Sequence, residues 1–145
     1  MNKEQLLDDA KVQFSNMHFE KSIELCTRIL SESPESIEGV ACRVIRASSY
    51  ELVDSPNRKL SLSCAVDDYS SLADEPGWIG AMGHAGLART LYFQDAESNA
   101  ERIKLHADIA IERSGHVPSM IVAGTVVSEV FLDGGALKKI LSQGS

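Results

Sequence analysis

The sequence predicts an all-α fold, an α-solenoid-like stack of antiparallel helix pairs with about seven helices and a short C-terminal capping helix, and three observations carry that expectation. Apolar residues recur at steps of three and four along most of the chain, the spacing that lines one face of a helix. Clusters rich in Pro, Ser, Asp and Gly, at SESPES, DSPN, ADEPG and SGHVP, interrupt that pattern. A small residue returns at Ala10, Ala47, Ala88 and Gly124, at intervals of 37, 41 and 36. Tyr50, Leu91 and Val127 follow three of these four by three positions. One helical pair cannot cover both its faces, so neighbouring pairs stack, and small side chains are needed where their backbones approach closely.

Leu6, Leu7, Ala10 and Phe14 mark a first helix, and Phe19, Ile23, Cys26, Ile29 and Leu30 a second, with a break at 16–18. Pro34 stops the second helix and biases Ser33 away from helical angles. Ile37, Val40, Ala41, Val44, Ile45 and Leu52 give a third helix, ended by the DSPN turn. Leu60, Cys64, Ala65, Tyr69 and Leu72 give a fourth. A fifth runs from Trp78 to Phe93, and a sixth carries Ala100, Ile103, Ala107 and Ala110. Met120, Ala123, Val127 and Val130 keep helical spacing, so the sequence predicts a seventh helix from Met120 to Leu132, followed after Gly134 and Gly135 by the tail helix. The units of this single domain are 3–36, 37–76, 77–116 and 117–145.

A chain of 145 residues buries roughly two thirds of its unfolded surface and holds a core without disulfides or metals. Cys26, Cys42 and Cys64 have neither C-x-x-C nor zinc-finger spacing and read as small buried hydrophobes. The net charge of −7 argues against nucleic acid, whose affinity rests on a basic stripe. Charges run through the first apolar residues, and the most apolar segment, 117–132, contains Ser, Thr, Pro and Glu. Neither pattern suits a secretory signal or a membrane-spanning helix, so cytoplasmic residence without membrane insertion is the expectation.

The stretch GWIGAMGHAGLA, residues 77–88, places glycine at every third position from Gly77 to Gly86. A dinucleotide loop needs G-x-G-x-x-G after a strand, and a phosphate loop needs Gly-Lys-Ser or Gly-Lys-Thr; Leu87 follows Gly86. In a helix these glycines, with Ala81, Ala85 and Ala88, make a nearly flat face, expected to pack tightly on the second and fourth helices. His18, His84, His106 and His116 form no H-E-x-x-H spacing, and no G-x-S-x-G elbow or calcium-loop pattern occurs. Catalytic residues, metal ligands and cofactors are therefore not expected, and His106 reads as a surface position beside Arg102.

The stretch AKVQFSNMHFEKSIELCTRILSESP, residues 10–34, resembles the tetratricopeptide repeat family: Ala10 takes the small position, Phe19 the aromatic opening the second helix, Ser22 the next small position and Pro34 the end. Residues 86–127 are similar to Sel1-like repeats, and the resemblance as a whole spans 3–132. Asp9 stands where the first helix of the family usually has Leu, and Met17 and His18 replace its Gly-Asp turn. The resemblance implies a right-handed superhelix that binds a protein or peptide on a concave wall made by the first helix of each pair. It carries over to Lys11, Phe14 and Ser15, to Ser48 and Glu51, and to Arg89, Tyr92 and Phe93 as the residues lining that wall, with Phe14, Tyr92 and Phe93 alternatively core.

The expected function is a non-enzymatic protein- or peptide-binding module, in the role of an adaptor, a chaperone-like part of a larger bacterial machine, or an inhibitor or immunity-type partner. The alternative is a structural homodimer assembling through its C-terminal helices, where Val126, Val127, Val130 and Phe131 are continued by Leu137, Ile140 and Leu141.

Overall fold

The structure is a computed structural model that describes residues 2–114, 119–122 and 125–128. Six helices form the body: α1 (Lys3–Ser15), α2 (Phe19–Glu32), α3 (Ile37–Leu52), α4 (Arg58–Ala73), α5 (Gly77–Asp95) and α6 (Ala100–Ser114). Their starts follow from local chemistry. Asn2 and Gln5 form a reciprocal capping box at α1, with the Gln5 N–H donating to Asn2 Oδ1 at 2.9 Å and the Asn2 N–H donating to Gln5 Oε1 at 3.1 Å. The Ser36 hydroxyl accepts the Gly39 N–H at 3.0 Å to open α3, and Asn57 Oδ1 accepts the Leu60 N–H at 3.1 Å to open α4. Between α1 and α2 the chain turns in three residues, with Met17 in left-handed conformation at φ 63°.

Each helix packs chiefly on its neighbours in sequence, while α1 also touches α3 and α3 touches α5. The pairs run antiparallel. Asn99 meets Leu91 while His106 meets His84 across α5 and α6, and Tyr50 meets Ser61 while Arg46 meets Asp68 across α3 and α4. Ala10, Ala47 and Ala88, the small residues of the first three units, are all 0% exposed. Leu25, Ile29, Ile45, Leu72, Met82 and Leu91 pack around them with almost no exposure. At about 25 cal/mol per Å² of apolar surface removed from water, such side chains supply the main favourable term in folding.

Helix α5 is the centre of this arrangement, and every residue from Gly80 to Leu91 is buried. The glycine spacing permits it. A Cβ on Gly83 would lie 2.4 Å from the Ala73 backbone nitrogen, and one on Gly86 would lie 2.3 Å from the Tyr69 ring, so α4 lies against this face closer than alanine allows. The expected second contact, with α2, is not part of it; these glycines meet α4 and its C-terminal turn.

The expectation of a seventh helix is overturned within its described residues. β1 (Ser119–Val122) and β2 (Thr125–Ser128) pair antiparallel, with Val122 opposite Thr125 and Ser119 opposite Ser128. Only Ala123 and Gly124 separate them in sequence, the spacing of a two-residue hairpin. The β-branched run Ile-Val and Thr-Val-Val favours a strand over a helix, and an apolar run of this length fits either periodicity. β2 packs on α6 and touches α5. The tail helix, the fourth unit's Gly124 and the dimer residues from Val130 onward lie outside the described residues. Val126 and Val127 belong to β2 rather than to a helix. Among the described residues no helix is long and apolar enough to cross a membrane.

Candidate functional site

The eight residues carried over from the family pattern divide sharply. Lys11 is half-buried and lies 3.7 Å from Asp8, Phe14 is half-buried with its ring edge-on to Phe19 at 5.6 Å, and Ser15 is exposed. Tyr92 is half-buried against the cluster of Ala88, Leu91, Ile103 and Ala107, and Phe93, at 5.9 Å from it, is 50% exposed. Ser48, Glu51 and Arg89 are instead interior, each no more than 2% exposed, and do not line a surface wall. Helix α4 covers Ser48 and Glu51, while Arg89 stands on a helix buried around its circumference.

These three residues converge with Tyr69 in a buried ionic knot. Arg89 Nε donates to Glu51 Oε1 at 2.9 Å, and Arg89 Nη2 lies 3.4 Å from Glu51 Oε2. The Tyr69 hydroxyl donates to Glu51 Oε2 at 2.8 Å and lies 3.3 Å from Ser48 Oγ, and the guanidinium carbon stands 5.9 Å from the Tyr69 ring centroid. Burial pushes the Tyr69 phenol well above its ordinary range, and the Glu51 carboxylate adds to that. Burial also works against the Arg89 charge, but Glu51 and Tyr69 outweigh it and hold the guanidinium above its ordinary value. The knot joins α3, α4 and α5.

A second clamp lies nearer the surface. Arg46 grips Asp68 with two parallel bonds, Nε to Oδ2 at 2.8 Å and Nη2 to Oδ1 at 2.7 Å, and its Nη1 donates to Thr27 Oγ1 at 3.2 Å. One side chain on α3 thus ties α2 to α4. The Asp68 bond, against the opposing cost of burial, raises the Arg46 pKa. Ser22 and Ser49 close the α2–α3 seam with a buried hydroxyl pair at 2.9 Å.

Sequence spacing gave no hint that His84 and His106 meet. They are 22 residues apart, yet their Nδ1 atoms lie 2.9 Å from each other and their rings stack at 5.1 Å across the α5–α6 seam. His106 is therefore half-buried and paired, not a plain surface position. Burial, the neighbouring imidazole and Arg113 lower the His84 pKa to about 4, with Asp74 opposing, and burial with Arg102 lowers that of His106. Among the described residues no group of three or more His, Cys, Asp or Glu is placed to hold a metal ion.

Two clefts open at the edge formed by the α1–α2 and α3–α4 turns. The larger, about 560 Å³, lies between the start of α2 and the end of α3 and is lined by Met17, Phe19, Leu52 and Val53, with Glu20, Lys21 and Asp54 also on it. The smaller, about 260 Å³, continues it toward α4 through Ile23, Tyr50, Leu60 and Cys64. Glu20 and Val53 belong to both. The sequence signal for this edge lies in the turn residues Met17 and Leu52, where an apolar side chain stands at the last residue of a helix or just beyond it.

No family model, curated protein or solved structure matches the chain. Among the described residues the fold is a helical one, six consecutively packed helices and a short strand pair, with a buried ionic centre and apolar clefts along one turn edge.

Proposed function

We propose that the chain is a non-enzymatic module of stacked helical hairpins that binds a protein or peptide. The observation that carries this reading is the complete burial of Ala10, Ala47 and Ala88 on α1, α3 and α5, helices that also touch one another. That is the packing a solenoid of repeated hairpins needs, and such arrays serve by presenting an extended surface. The resemblance of residues 10–34 to a tetratricopeptide unit supports it. So does the internal pairing of Glu51 with Arg89 and Arg46 with Asp68, which uses these charged groups to hold helices together.

A photo-crosslinking amino acid placed in the native cell at Lys11, Phe93 or Leu52, and at Glu112 as a control away from those positions, tests the reading. The expected result is a discrete adduct with one protein at one or more of the first three positions. Self-adducts alone, or the same adducts at every position, would overturn it.

A further inference from the structure

We propose that the paired clefts at the turn edge, rather than the row of first helices, are the docking surface, and that their occupant is a cationic segment of another protein carrying apolar side chains. This rests on the binding-module reading and gives it a place and a partner chemistry.

The edge is built to hold apolar side chains outward. Met17 is 72% exposed, and its position is set by the backbone: its N–H donates to the Phe14 carbonyl at 3.0 Å and the His18 N–H to the Gln13 carbonyl at 2.8 Å. Leu52, on the larger cleft, is 45% and Leu60, on the smaller, 59% exposed, while Val53, which lines both, is buried. Large apolar side chains converging on contiguous hollows form the kind of surface that partners cover. The combined clefts lie in the size range of ligand-binding hollows.

Charge selects the occupant. The polar groups of the floor are already used: Asn57 caps α4, the Ser61 hydroxyl donates to the Tyr50 carbonyl, and His18 Nδ1 meets Gln13 Oε1 at 2.9 Å. Lys21 is matched by Glu24 at 3.5 Å, and Arg58, at the start of α4, donates to the Glu51 carbonyl. Lys59 lines neither cleft. The Glu20 and Asp54 carboxylates remain on the rim, each exposed and without an ion pair among the described residues. A lysine or arginine beside an apolar anchor complements that rim. A second copy of this chain, with net charge −7, would set its own acids against it, and a nucleic acid would set phosphates there.

The test uses the full chain, isotope-labelled for amide spectra, and two fluorescent amphipathic peptides that differ only in Lys against Glu between the same spaced leucines. The Lys peptide is expected to bind, with amide shifts confined to residues 17–24 and 50–64. The exposed double variants Glu20→Gln/Asp54→Asn and Leu52→Ser/Leu60→Ser are each expected to weaken it by about tenfold. Leu105→Ser, on an exposed leucine of α6, should leave binding unchanged. Equal binding of both peptides, binding of neither, or unchanged affinity in the double variants would overturn the proposal. Shifts centred on Lys11, Tyr92 and Phe93 would overturn it while leaving the binding-module reading intact, and failure of the crosslinking experiment would overturn that reading separately.

Discussion

Arg89 on α5 donates to Glu51 on α3 across 2.9 Å, with each side chain 1% exposed and the Tyr69 hydroxyl sharing the same carboxylate. A buried charge left without its partner is strongly penalised, whereas an apolar pair of similar volume escapes that penalty. Arg89→Met alone, or Glu51→Leu alone, is expected to cost about 3–5 kcal/mol. The double variant should cost clearly less than the two together. Urea unfolding of all four chains measures this coupling, and strict additivity would show that the pair is not linked as the geometry requires.

Gly83 and Gly86 carry opposing effects. Alanine gains about 1 kcal/mol in helix propensity, but here its methyl would drive into the Ala73 backbone or the Tyr69 ring. Overpacking of this kind costs about 1–3 kcal/mol, and Tyr69 is pinned by its bond to Glu51. Both substitutions should lower Tm. Gly83→Ala is expected to be the worse, since its obstacle is main chain. A rise in Tm for either would mean that α4 and α5 lie farther apart than described.

The imidazoles of His84 and His106 share one Nδ1-to-Nδ1 hydrogen bond, in which one nitrogen must accept, so at most one of the two rings can be cationic while the contact holds. Both folded pKa values lie below the ordinary value of 6.5, that of His84 at about 4. Between those values the unfolded chain binds more protons than the folded one, so this contribution is fully present above about pH 6.5 and is lost as pH falls toward about 4. Other groups change stability over the same range. The readout is therefore the difference between the native chain and His84→Gln/His106→Gln, with urea midpoints compared from pH 7 to pH 4.5. The native chain should lose more of its midpoint than the variant over that interval; parallel loss would contradict the pairing.

Cys26 and Cys42 are 0% exposed, and the neighbouring Cys42 thiol together with burial pushes the Cys26 pKa far up, so Cys26 supplies no thiolate in the folded state and Cys42 is closed to reagents by burial. Cys64 is half-buried at the cleft edge. Thiol labelling of the folded chain should therefore modify Cys64 first, with Cys26 and Cys42 following only on denaturation. Rapid modification of all three under native conditions would contradict the burial described.

Local periodicity carried the first six helices, because Leu6, Ile29, Val44, Tyr69, Leu91 and Ile103 are each one of the regularly spaced apolar residues that their helix buries. It carried Ala10, Ala47 and Ala88 for the same reason, as close approach excludes larger side chains. The reading failed where a residue's state depends on distant chain. Glu51 and Arg89 look like surface charges until their mutual contact across 38 positions is known, and nothing in either neighbourhood announces it. His84 and His106 are hidden in the same way. At 119–128 the pattern itself was ambiguous: Met120 and Val127 keep a helical step, yet they stand opposite each other across a hairpin. The clefts escaped notice because they arise from the start of α2, the end of α3 and the start of α4 meeting in space, not from any one motif.

An array of hairpins held only by adjoining contacts unravels from its ends, shedding one layer after another. The guanidinium of Arg89 interrupts that sequence, because it reaches past α4 to a helix two places back and cannot be freed without opening both seams together. Under a pulling force or a slow denaturant ramp, α1, α2 and α6 should peel away as separate events, and α3, α4 and α5 should then give way in a single step.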